Sequence, residues 1–245
     1  FKNRRASGDL DALDGWIRMV ATSRLTGHST GFFSVYTLPP NQAVTRERQL
    51  QINEKRGQFP TYRDTHSLIL KKSRQLLRDL DQKQSERLRE VGRSAKFLTG
   101  DSRLLNGVSP NSVKLVVTSP PFLDIVDYEG DNWLREWFLE PPPLSSTDTF
   151  SIRKVADWKH FISKTLAQLE KSLQSQGHIA FEVGEVRNGS VKLEDAVIDA
   201  SLSCGLVPLA VLINRQSFTK TSSIWGVANN NRGTNTNRIV LLKKE

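Results

Sequence analysis

Cysteine occurs once in the 245 residues, at Cys204, which excludes an intrachain disulfide and any cysteine-rich metal site. That usage fits a reducing, intracellular setting, so a cytoplasmic location is expected. His28 stands in a polar loop with no clustered ligands around it, and no metal site is expected. No apolar run approaches the ~20 residues that cross a bilayer, and no segment has the pattern of a signal peptide. A glycine-rich loop directly after an early strand is also missing. Gly184 and Gly189 come late and lack the G-x-G spacing that cradles a phosphate.

What is present is a hydrophobic content of 37% and a charged content of 25%, the balance of a soluble globular protein. The length is enough for one sizeable core, or a core with a smaller subdomain. A formal net charge of +9 predicts an anionic partner, nucleic acid before a membrane surface. Residues 63–96 alone hold ten Lys/Arg against five Asp/Glu. Such a face either lies along phosphates or meets water.

The chain divides near residue 95. Residues 1–94 are expected to be mainly helical, an insertion or a target-recognition region. Leu10, Leu13, Trp16, Ile17 and Val20 recur at helical spacing. A loop over 24–31 feeds Phe32 to Thr37, a strand or extended segment closed by Pro39-Pro40-Asn41. Arg24 and Asn41 are candidate substrate contacts there. Thr45 is placed to cap a polar helix that Gly57 ends, and the apolar spacing of residues 63–96 reads as helical.

Residues 95–245 read as α/β. Ala95 to Thr99 is expected to be a short strand ending at Gly100-Asp101-Ser102-Arg103, with the Asp101 carboxylate at the sheet edge or in an ordinary turn. Leu115 to Thr118 reads as a short buried strand. Pro120 and Pro121 end it, because they lack an amide hydrogen and fix φ. What remains is a rigid corner with free carbonyls, able to hold an amine, or a plain proline turn. Asp124, Asp127, Tyr128 and Asp131 follow, read as loop capping and substrate contact before metal. Val155 to Leu173 is the clearest helix, ended by Gln176-Gly177. Strands are expected at 178–183, 206–213 and 238–242, with a helix at 191–203. The order gives part of a doubly wound sheet with a closing hairpin. The polar stretch from Thr221 to Asn237 is a candidate binding loop.

Val117-Thr118-Ser119-Pro120-Pro121-Phe122 resembles the fourth motif of the DNA amino-methyltransferases, in the Thr-Ser-Pro-Pro-aromatic form of the cytosine-N4 branch. Gly100-Asp101-Ser102-Arg103 is similar to the motif that precedes it. Phe181 to Gly184 and Thr236 to Leu242 resemble later strands of the same sheet. The resemblance implies a partial Rossmann-like methyltransferase sheet over 95–245, S-adenosylmethionine as cofactor and double-stranded DNA as partner. On that reading Ser119, Pro120, Pro121 and Phe122 are catalytic. Asp101, Ser102 and Thr118 contact the cofactor, and Phe122, Asp124, Tyr128, Arg24 and Asn41 contact the substrate. A cytosine would be flipped out of the duplex, its N4 held by Ser119 and the Pro120 carbonyl and its ring stacked on Phe122. No covalent nucleophile is needed, so Cys204 is assigned to packing. An adenine-N6 enzyme usually has an acidic residue or Asn where Ser119 stands. A basic subunit that binds nucleic acid without catalysis is the other alternative.

The family's glycine-rich first motif and the ribose-binding acidic residue are absent from these 245 residues. The missing motif is expected upstream of Phe1, in a longer chain or in the other part of a split enzyme. Residues 1–245 alone are therefore expected to methylate poorly; robust turnover by the purified chain would refute this.

Overall fold

A computed structural model of the protein describes Arg4, residues 7–37, 44–121, Leu123, 128–140, Ile152, 154–184, 191–215 and 236–245, without the side chains of Tyr128, Glu129, Asp131, Arg215 and Thr236. The chain forms two compact units, Phe1–Lys96 with Asp127–Thr149, and Phe97–Val126 with Phe150–Glu245.

The first unit is helical. Helix α1, Ala12–Thr22, opens with a capping box in which Asp11 accepts from the Asp14 amide and Asp14 accepts from the Asp11 amide, at 2.8 and 3.1 Å. Arg4 pairs with both carboxylates. Thr45 caps α2, Arg46–Arg56, as expected, and Gly57 ends it at φ 57°, ψ 36°. The helical window at 63–96 is two helices, α3 at Thr65–Leu77 and α4 at Gln82–Ser94. The break lies where Asp81 starts a new helix by accepting from the Gln84 amide at 2.7 Å, while the Gln84 side chain returns to the Asp81 amide. Neither α3 nor α4 has a buried residue, consistent with their polar composition. Trp16 ties α1 to α3 by donating to the Ser73 hydroxyl. Arg18 ties α1 to helix α5, Tyr128–Leu139, through the Leu139 carbonyl.

The strand considered at 32–37 is reduced to a single bridge between Gly27 and Tyr36. Phe32 folds back on Gly27 so closely that a Cβ there would lie 2.3 Å from the ring. The intervening residues are bends, and Phe33 and Thr37 return their amides to Arg24 and Gly27.

The second unit is a four-stranded sheet in the order β1-β2-β4-β3, with β1 at Val113–Thr118, β2 at Leu173–Gly184, β3 at Leu206–Arg215 and β4 at Thr236–Lys244. β1 runs parallel to β2, and β4 pairs antiparallel with both β2 and β3. This is the α/β half-sheet and closing hairpin expected from the sequence. Helices α6, Val155–Ser172, and α7, Leu193–Ser203, join the sheet in one apolar core containing Trp158, Ile162, Leu166, Ile179, Phe181, Val197, Val240 and Leu242. Period-two alternation puts Ile179, Phe181 and Val183 on the helix-covered face.

Three expectations are corrected. β1 is not a buried strand: it is an end strand of the sheet, with Leu115 59% and Val117 75% exposed. The apolar run marks strand propensity, and burial depends on neighbours that β1 has on one side alone. Ala95 to Thr99 is not a strand; it is exposed and unpaired, with Phe97 93% accessible. Helix α6 ends at Ser172 and β2 begins at once, five residues before the strand anticipated at His178. Lys244 makes that abrupt exchange possible. Its ammonium donates to the carbonyls of Glu170 and Leu173 and pairs with the Glu170 carboxylate, satisfying carbonyls that the helix end leaves open.

Candidate active site

β1 delivers Thr118, Ser119, Pro120 and Pro121 to the C-terminal edge of the sheet, the edge where open α/β folds place their chemistry. Its start is fixed by α6: the amides of Asn111 and Ser112 donate to the carbonyls of Lys171 and Ser172 at 3.0 and 2.9 Å. From there the register runs Val116 to Ile179, Val117 to Ala180 and Thr118 to Phe181. Ser119 is exposed and Pro120 and Pro121 are half-buried.

The two proline carbonyls differ. That of Pro121 accepts the indole N–H of Trp158 at 2.9 Å. Trp158 is fully buried in the first turn of α6. Among the described residues nothing donates to the Pro120 carbonyl or the Ser119 hydroxyl. One carbonyl anchors the corner and the next is left open, adjacent to a hydroxyl. Leu123, just beyond, is fully buried and holds the far side of the turn in the core.

The Gly-Asp segment meets the same helix. Asp101 accepts from the Arg103 amide at 2.8 Å and from its guanidinium Nε at 2.9 Å, and the two form an ion pair through Nη2. Arg103 in turn lies over the Phe161 ring, 5.9 Å from its centre. Trp158 and Phe161 are three residues apart on α6, so one face of one helix gathers both the 101–103 turn and the Pro-Pro corner. The hydrogen bonds and charge of Arg103, with a smaller contribution from Lys164, hold the Asp101 carboxyl below the usual carboxylate range. Ser102 sits half-buried in that turn.

Arg24, in the first unit, stacks its guanidinium over Phe32, 4.4 Å from the ring centre, and donates to Ser23. Phe122, Asp124 and Asn41 lie outside the described residues, as does the Tyr128 side chain, although its backbone opens α5. Cys204 is half-buried and donates to the Ser201 carbonyl; burial pushes its thiol pKa up. Among the described residues no group of His, Cys, Asp and Glu is arranged to hold a metal ion, and no helix is long and apolar enough to cross a membrane.

Three residues escaped the sequence reading. Trp158 reads there as a core position of a helix, and Arg103 and Lys164 as ordinary surface charges. The available signal is chemical: a buried indole N–H requires an acceptor, and Pro121 offers one that no strand partner uses.

No family model matches the chain, and no curated protein matches it. Among solved structures it is similar to TTHA0409, a DNA modification methylase of Thermus thermophilus complexed with S-adenosyl-L-methionine, at 20% identity over 60% of this chain and 54% of that one, with a TM-score of 0.35. It is similar also to the PvuII DNA methyltransferase (cytosine-N4-specific), at 20% identity over 60% and 48%, TM-score 0.36. A third similarity is to TrmN from Thermus thermophilus, at 17% identity over 68% and 35%, TM-score 0.34. The chain spans about half or less of the length of these proteins.

Proposed function

We propose that the second unit carries the base-side half of a methyl-transfer site, acting on the exocyclic N4 amine of cytosine in DNA. The observation that carries this reading is the division of labour between the two prolines. Trp158 locks the Pro121 carbonyl, while the Pro120 carbonyl and Ser119 hydroxyl stay open at the strand's end. Two acceptors on one rigid corner match the two hydrogens of an amine. Accepting both turns the nitrogen lone pair away from the base and stabilises the positive charge that grows on nitrogen as its new bond forms. The amine then loses one proton to solvent, and no covalent intermediate with the protein is required.

S-adenosylmethionine is the donor that the sequence resemblance implies; when bound it supplies an electrophilic methyl group. Asp101, Ser102 and Thr118 are the residues proposed to hold it. Arg103 keeps Asp101 ionised, and a carboxylate retains acceptor capacity beyond the bonds it makes here. Phe122, Asp124 and Tyr128 remain proposed base contacts, and Arg24 and Asn41 proposed contacts of the first unit with DNA. The preference for cytosine rests on Ser119 standing before Pro-Pro.

Product identity tests the proposal. Duplex DNA is incubated with excess protein and methyl-labelled donor, digested to nucleosides and analysed by mass spectrometry. N4-methylcytosine, lost in Ser119→Ala, is the expected product. N6-methyladenine would overturn the assignment of the base. DNA binding with no labelled nucleoside would favour a basic binding subunit without catalysis, a reading supported by the lack of a glycine-rich loop.

A further inference from the structure

The first 96 residues contain 19 Lys/Arg and 10 Asp/Glu, whereas the remaining residues balance at 16 and 16. The positive surplus of the whole chain therefore resides here, and it includes an aromatic platform. Between α2 and α3, Phe59 is 74% exposed and Tyr62 90% exposed. Burying two such rings is a strong hydrophobic gain that the fold does not take. Arginines alternate with them in sequence. Arg56 precedes Phe59 and stacks on the Tyr36 ring at 3.7 Å, and Arg63 follows Tyr62. Neither arginine has a carboxylate partner among the described residues, and the Arg63 Nε is buried without any hydrogen-bond acceptor.

The platform is built and held. Gly57, at φ 57°, lets the chain leave α2 in a left-handed turn that a side chain would strain. Gln58 then donates to the Tyr36 carbonyl at 2.8 Å and to the Asn53 side chain at 2.9 Å. Gln49 donates to the same two acceptors from the helix above, at 3.1 and 2.8 Å. Tyr36 is further fixed by its bridge to Gly27. The result is an open cleft of about 450 Å³ lined by His28, Tyr36, Arg56, Gln58, Phe59 and Arg63, within the ~300–1,000 Å³ range of ligand sites. Flat exposed rings with uncompensated guanidiniums beside them are the combination that binds an unpaired nucleic-acid strand: bases stack on the rings and phosphates meet the cations.

We propose that the α2–α3 connection, with Tyr36, grips a single nucleic-acid strand, Phe59 and Tyr62 stacking on its bases and Arg56 and Arg63 holding its phosphates. The proposal rests on the nucleic-acid side of the proposed function and adds a place where a displaced or unpaired strand is held. Duplex DNA hides its base faces within the stack, so the platform should prefer single strands.

Fluorescence anisotropy of the 245-residue chain with a labelled mixed-sequence oligonucleotide of about 20 nucleotides, longer than the ~4–16 that one binding site spans, tests this in single-stranded and duplex form. The wild-type protein is expected to bind the single strand more tightly. Phe59→Ala/Tyr62→Ala should weaken that binding about tenfold or more with little change in its salt dependence. Arg56→Gln/Arg63→Gln should flatten the salt dependence by about one unit of slope. Tyr62→Phe, which keeps the ring, should bind as wild type, and circular dichroism should show all variants folded, since the rings are exposed. Tight strand binding that survives both double substitutions would overturn this surface and leave the proposed function standing. Failure of the wild-type protein to bind either form would overturn both.

Discussion

Trp158 donates its indole hydrogen to the Pro121 carbonyl at 2.9 Å, and this one bond sets the conformation of the corner that presents Pro120 and Ser119. Trp158→Phe keeps an aromatic ring in the core and removes only the donor and part of the volume. The lost bond is worth about 0.5–1.5 kcal/mol, with more if the carbonyl is left dry. Denaturant unfolding should register that modest loss. In a single-turnover methylation assay the transfer step should fall further than DNA affinity does, because the bond orients the amine acceptors and does not touch the duplex. Equal losses in both quantities would reduce Trp158 to a packing residue.

Arg103→Ala should raise the Asp101 pKa toward ~3.9, the value of an unperturbed aspartate. In the wild type the folded pKa is depressed, chiefly by the Arg103 hydrogen bond. The pair's contribution to stability is therefore complete above the unfolded value and is lost as pH falls through the folded one. Carboxyl carbon shifts of Asp101 followed from about pH 6, well above the ~3.9 of a free aspartate, downward should show its midpoint below that of an exposed aspartate. In Arg103→Ala the two midpoints should nearly coincide.

The contrast between what is and is not legible in the sequence follows from range. Caps and turns are local, so Thr45, Gly57 and the Pro-Pro corner are readable in a few residues each. The period of α6 predicts its buried stripe of Trp158, Phe161, Ile162, Leu166 and Leu169 because one helix face repeats its environment. The exposure of β1 is not legible because Val116 and Val117 look alike in sequence. The register places Val116 opposite Ile179 on the covered face and turns Val117 outward. The junction at Ser172–Leu173 is equally hidden, since the group that completes it, Lys244, lies 71 residues away. The bond from Trp158 to Pro121 spans 37 residues and leaves no pattern.

Gly27→Ala should destabilise the first unit. The added Cβ would stand 2.3 Å from the Phe32 ring, which is 7% exposed and overlaid by Arg24. Overpacking of this kind costs typically about 1–3 kcal/mol. A second change, Phe32→Leu, should recover part of the loss in Gly27→Ala while costing stability alone. That sign reversal in a double-mutant cycle of thermal midpoints is the diagnostic result.

Cys204 should react slowly with a disulfide reagent in the native protein. Its thiol is half-buried, donates to the Ser201 carbonyl at 3.3 Å, and is pushed by burial toward a higher pKa, so little thiolate exists at neutral pH. Cys204→Ser should leave methylation and DNA binding unchanged. Fast native labelling, or loss of transfer in the serine variant, would contradict its assignment to packing.

The exposed side of β1 predicts the protein's behaviour in solution. Leu115 and Val117 are exposed on the strand, and β1 has a sheet neighbour on one side alone among the described residues. An apolar end strand with β-branched residues is a template for pairing with another strand. Lys114 is the one charged residue of β1, and it stands before the exposed pair without separating its members. Val117→Lys places a charge on that surface. Because Val117 is 75% exposed, the substitution removes little core packing. Light scattering across a concentration series should show the wild-type chain associating and the lysine variant remaining smaller, at closely similar thermal midpoints. Identical association in the two proteins would mean that β1 is not the adhesive edge.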